Sequence, residues 1–187
     1  MIIPKIIFYL NIAAWLLPPF RQKGCKYFLY FLILALSDPI YTIIDWFYTT
    51  DATTYYVFIS TMLLIVLVRK KYLYLLLIFI VLMNFYLNNL EIRVFTFVIH
   101  FIILLYFLKE FIVIISEESK IVIFNLVLIL YEASIIFKFA ASYLAIAGYL
   151  YFYITTAFEI LIAVFFILYN EKNSPALNIQ MEPRETD

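Results

Sequence analysis

Seven ionisable side chains stand within or at the ends of long apolar runs: Asp38, Asp45, Arg93, His100, Glu132, Lys138 and Glu159. In lipid, carboxylates, an imidazole and cations can pair as ions, carry a proton or hold a polar ligand, so each is a functional candidate by default. A carboxylic acid buried there without a cation serves as a hydrogen-bond donor or proton carrier rather than as a fixed anion. Asp38 and Glu159 have no basic neighbour close in sequence. Asn11, the Ser60-Thr61 pair and Asn84 add amides and hydroxyls at similar depth. Such groups ordinarily make interhelical hydrogen bonds, worth about 0.6 kcal/mol on average in one membrane protein. Glu132 and Lys138 can pair through a neighbouring helix, as can Asp45 or Glu91 with Arg93.

Counting sets several chemistries aside. A three-histidine zinc hydrolase needs more than the one histidine present. Mixed ligation by His100, Glu132 and Glu159 lacks ligand spacing, so no metal site is assigned. No Gly-x-Ser element supports a serine protease, and no lysine in the last apolar run supports a Schiff base there. Two glycines exclude a glycine-rich phosphate loop, and one cysteine, Cys25, excludes an internal disulfide framework. Basic and acidic residues balance at 13 each, which gives no case for nucleic acid. No catalytic residue and no cofactor is expected.

The elements that must position these groups are membrane helices. Of 187 residues, 67% are hydrophobic and 14% charged, against about 25% charged in soluble domains. Polar breaks divide the chain into seven apolar runs at 2–17, 27–48, 54–68, 72–86, 92–115, 121–141 and 148–170. A spanning helix needs roughly 17–25 such residues, and the third and fourth runs are short. The reading is an all-α polytopic bundle of seven transmembrane helices over residues 1–170, with a polar tail over 171–187. The first run lacks a small-x-small cleavage site and is read as a retained helix rather than a signal peptide. The tail reads as flexible by composition.

Basic residues set the orientation. Arg21, Lys23, Lys26, Arg69, Lys70, Lys71, Lys109, Lys120, Lys172 and Arg184 fall on one side, against Lys5, Arg93 and Lys138 on the other. The positive-inside rule places the N-terminus outside and the C-terminus in the cytoplasm.

Helical phase then gathers the polar groups. Asp38 is in line with Tyr41, Thr42 and Asp45, Asn84 with Asn88 and Glu91, His100 with Thr96 and Arg93, and Glu159 with Thr155 and Thr156. Each stripe runs from mid-membrane towards the outside, whereas the cytoplasmic halves are nearly free of side chains more polar than tyrosine. This predicts an outward-facing polar pocket sealed beneath by apolar packing. Small residues from Ala133 to Ala163 predict close pairing of the last two spans. Tyrosines near the span ends, Tyr27, Tyr30, Tyr55 and Tyr56 among them, read as interfacial belts.

The segments KGCKYFLYFLILALSDPIYTIID, YEASIIFKFAASYLAI and YFYITTAFEILIAVFFILY resemble small bacterial seven-helix integral membrane proteins. The resemblance is one of pattern over most of the chain and brings no activity with it. It implies a single-domain protein of the bacterial cytoplasmic (inner) membrane. The expected function is non-enzymatic: a sensing or accessory subunit that binds a small external ligand or a protein partner and acts through another membrane protein. Membrane lipid is its other neighbour. The alternative is a small proton- or cation-coupled transporter using the mid-membrane carboxylates, for which Pro39 beside Asp38 is the suggestive feature.

Overall fold

A chain this apolar satisfies its backbone internally, and each of the seven runs does so as a helix. The computed structural model describes residues 3–48, 52–69, 73–83, 86, 88–143 and 148–179. Asn84, Lys70, Lys71 and Arg184 lie outside the described residues. The elements are α1 (Ile3–Trp15), a single turn α2 (Pro18–Arg21), α3 (Phe28–Phe47), α4 (Ala52–Val68) and α5 (Leu73–Met83). They continue with α6 (Asn89–Glu118), β1 (Lys120–Val122), α7 (Ile123–Tyr143), α8 (Tyr149–Leu168) and β2 (Ala176–Asn178).

Four helices, α3, α6, α7 and α8, are long and apolar enough to cross a membrane, and α4 is a shorter apolar helix. As described, α1 has 13 residues and α5 has 11, below the ~20 that a straight crossing takes. The outer surface is apolar: Leu75, Ile78, Phe101, Ile112 and Leu161 are exposed, while Asn11, Thr61, His100, Glu132 and Glu159 are buried. Water would favour the reverse arrangement, and lipid favours this one.

Local chemistry sets several boundaries. Asn88 caps α6: its Oδ1 accepts the Glu91 backbone N–H at 3.0 Å, and the Glu91 carboxylate accepts the Asn88 N–H at 3.0 Å. This capping box starts the helix a turn ahead of the apolar run and takes Asn88 and Glu91 out of any stripe towards the pocket. Pro39 lies inside α3 and has no N–H to offer the turn before it. Side chains serve the backbone around it. Tyr55 donates to the Ser37 carbonyl at 2.7 Å, and Thr42 donates to the Asp38 carbonyl at 2.8 Å.

One end of the bundle is closed by connecting segments. The Gln22 amide donates to the carbonyls of Phe166 (3.1 Å) and Tyr169 (2.9 Å) at the end of α8. Gly24 turns with φ +77°, a backbone region that favours glycine. Lys26 pairs with Glu110 of α6. Burial works against the Lys26 ammonium, but the hydrogen bond and the attraction of Glu110 outweigh it and hold the group above the usual lysine range. The start of the polar tail is also ordered here. β2 pairs antiparallel with β1, the Ser174 hydroxyl accepts the Phe124 N–H, and the Pro175 carbonyl accepts the Ile123 N–H. Composition suggests a loose tail from residue 171. The physical reason for its order through 179 is that it satisfies the unpaired donors that open α7.

Above this end lies a ring-packed core in which Tyr30, Phe31, Phe107, Phe124 and Phe166 are almost wholly enclosed. The expected close pairing of the last two spans is not the dominant one. α7 lies chiefly against α6 and α8 chiefly against α1. Phe124 and Phe166 meet between α7 and α8 with centroids 5.2 Å apart.

Candidate binding pocket

The pocket forms where six helices turn polar or aromatic residues towards one another. α1 brings Asn11 and Trp15, α3 brings Asp38, and α4 brings Tyr56 and Ser60. α6 brings His100, α7 brings Lys138 and Phe139, and α8 brings Thr156 and Glu159. The enclosed space is about 390 Å³, within the range of small-molecule sites. In α6, α7 and α8 the lining residues run from mid-helix towards the end away from Gln22, Lys26 and the strand pair.

Three sets of contacts organise the polar groups. Lys138 of α7 reaches Glu159 of α8, with Nζ to Oε1 at 2.5 Å. Glu159, without a cation near it in sequence, therefore gains one from the neighbouring helix, and Lys138 pairs with Glu159 rather than with Glu132. Asp38 accepts a hydrogen bond from the Tyr56 hydroxyl at 3.0 Å. The third set is a string that leaves the pocket floor. Ser60 Oγ lies 2.9 Å from His100 Nε2, His100 Nδ1 lies 2.8 Å from Glu132 Oε2, and Tyr30 donates to the other Glu132 oxygen. Glu132 and Tyr30 are completely buried, so a full set of partners is what makes a carboxylate tolerable there.

Ser60, His100 and Glu132 follow the order of a nucleophile, a base and an orienting acid. Ser60, however, also donates its hydroxyl proton to the Tyr56 carbonyl at 2.7 Å. It sits in mid-helix, where backbone N–H groups are engaged by the preceding turn and form no oxyanion hole. What the string can do is hold or pass a proton between the pocket and the aromatic core.

Of the sequence candidates, Asp38, His100, Lys138 and Glu159 line the pocket, and Glu132 lies directly behind His100. Arg93 does not join them. It lines a separate space of about 140 Å³, and Tyr56 and Phe139 line both spaces and so stand between them. Asp45 lies exposed at the end of α3 beside Trp46 and Phe47. No ion pair joins Asp45 to Arg93 among the described residues. His100 and Glu132 meet, but Glu159 is engaged by Lys138. No group of three metal-ligating side chains forms among the described residues.

Tyr56 and Tyr30 are the contributors that the interfacial-belt reading misplaces. Tyr56 precedes Ser60 by four residues, so helical phase puts it on the polar face, whereas Tyr30 is about 80° from Asp38 at 3.6 residues per turn and phase does not mark it. That phase was the available signal for Tyr56. Trp15 closes the wall, packed on Tyr131 with centroids 4.6 Å apart. Comparison of the chain with protein-family models, with curated proteins and with solved structures returns no match.

Proposed function

We propose that the protein is a non-enzymatic sensing or accessory subunit of the bacterial cytoplasmic membrane. In this reading seven helices cross the membrane, with the N-terminus outside and the tail in the cytoplasm. The pocket opens outward, binds an external ligand or partner, and passes its state to another membrane protein. The observation that carries this reading is the cavity itself: four of the intramembrane ionisable side chains converge on one space of about 390 Å³ inside an otherwise apolar bundle. Charged groups in lipid are costly to keep, and binding is a use that explains their convergence. The meshed end at Lys26, Gln22 and β2 supplies a surface through which a bound state can be transmitted.

Proton-coupled transport is the second reading, and the string Ser60–His100–Glu132–Tyr30 is what favours it. One experiment separates the two. The protein is extracted from native membranes with surrounding lipid, and co-purifying molecules are identified by mass spectrometry for the wild type, Asp38→Asn and Glu159→Gln. The binding reading expects a ligand or stoichiometric partner that both variants lose while remaining folded. Retention by both variants overturns it. Proton flux in proteoliposomes that collapses in Glu159→Gln favours the transport reading instead.

A further inference from the structure

We infer that the pocket takes a small organic cation, an ammonium group carried on an apolar or aromatic body. This deepens the proposed function and rests on the pocket being a binding site. Hydrogen-bonding inventory comes first. Several donors on the wall already hold an acceptor: Lys138 on Glu159, Tyr56 on Asp38 and Ser60 on the Tyr56 carbonyl, while the His100 nitrogens are engaged by Glu132 and Ser60. Two acceptors stay open to the cavity. Asn11 is 8% exposed and lines the pocket, and its Oδ1 has no donor. Asp38 receives its bond on Oδ1 from a neutral phenol, and no cation pairs with it among the described residues. A ligand that donates would meet both.

Charge and wall chemistry agree. Asp38 and Glu159 face one ammonium, Lys138, and the His100 imidazole is committed to Glu132, so an ionised Asp38 is a carboxylate in surplus. An anion would meet that surplus with the lysine already engaged. A cation neutralises it. The walls are rich in rings, Trp15, Tyr56, Phe139 and Phe152 among them, and ring faces attract ammonium groups in a desolvated site. A membrane offers this group in two forms, a free amine or a lipid headgroup amine.

The test uses the full chain in phosphatidylglycerol-only discs, which contain no amine lipid. The two tryptophans are Trp15, in the pocket wall, and Trp46, which is exposed. Trp46→Phe leaves Trp15 as the reporter. Three probes of similar shape are titrated: 2-phenylethylammonium, 2-phenylethanol and 3-phenylpropionate. The ammonium probe is expected to give a saturable Trp15 change at concentrations at least about tenfold lower than the alcohol, and Asp38→Asn to remove that preference. If Asp38→Asn fails to fold, the ammonium-to-alcohol comparison in the parent chain decides. Tighter binding of the alcohol or the carboxylate overturns the cation assignment and leaves the binding pocket standing. Silence with all three probes overturns the assignment and counts against the pocket as well. Adding phosphatidylethanolamine distinguishes the sources. Lost apparent affinity identifies the headgroup, and unchanged affinity identifies a free amine; both support the ammonium.

Discussion

Glu132 has no exposed surface and spends both oxygens, one on His100 and one on Tyr30. Removing such a group leaves its partners buried and unpaired, which costs more than the pair contributed. Glu132→Ala is therefore expected to lower stability by about 3–5 kcal/mol in unfolding experiments in lipid discs. Glu132→Gln keeps an acceptor for Tyr30 and should cost less than half as much. Equal losses in the two variants would mean that packing, not hydrogen bonding, holds the site together. At this scale much of the candidate site was legible. Asp38, His100, Glu132, Lys138 and Glu159 stand out because their side chains are polar where lipid demands apolar ones. Tyr30 and Tyr56 were not legible by that criterion, because tyrosine is at home both in a belt and in a core. Arg93 and Asp45 show its other limit. Each is seven residues from a pocket residue and shares its face by count, yet Arg93 is walled off by Tyr56 and Phe139, and Asp45 lies at an exposed helix end.

Elements were read from where polar residues interrupt apolar runs, and each run contains a helix. What the runs could not give was pairing and ends. Hydropathy carries no record of which helix touches which, so small residues pointed to the last two spans, whereas α7 packs chiefly on α6 and α8 on α1. The strand pair was invisible because three-residue strands have too few alternations to show a period. Its energetic role is to cap α7 through Ser174. Ser174→Ala should cost about 1 kcal/mol, as cap removal does, and amide exchange at Phe124 should rise while exchange at Phe166 stays unchanged. Unaltered protection at Phe124 would show that the tail lies on α7 without capping it.

The whole molecule has its polarity reversed, with polar groups gathered within and apolar side chains facing out. Its two ends also differ. The end carrying Gln22, Lys26 and the strand pair is meshed by hydrogen bonds, and in α6, α7 and α8 the pocket residues run from mid-helix towards the other end. In the proposed orientation, which rests on the skew of ten basic residues against three, the meshed end faces the cytoplasm. The central claim, an outward-opening pocket in a bundle of that orientation, reduces to one measurement of thiol accessibility in intact cells. Cys25, the one cysteine of the chain, lies in the meshed end, and Phe152 lines the pocket. In a Cys25→Ser background, Phe152→Cys should react with a membrane-impermeant cationic methanethiosulfonate added from outside. Native Cys25 should react only after permeabilisation. Labelling of Cys25 in intact cells, with Phe152→Cys protected, would contradict both the orientation and the opening.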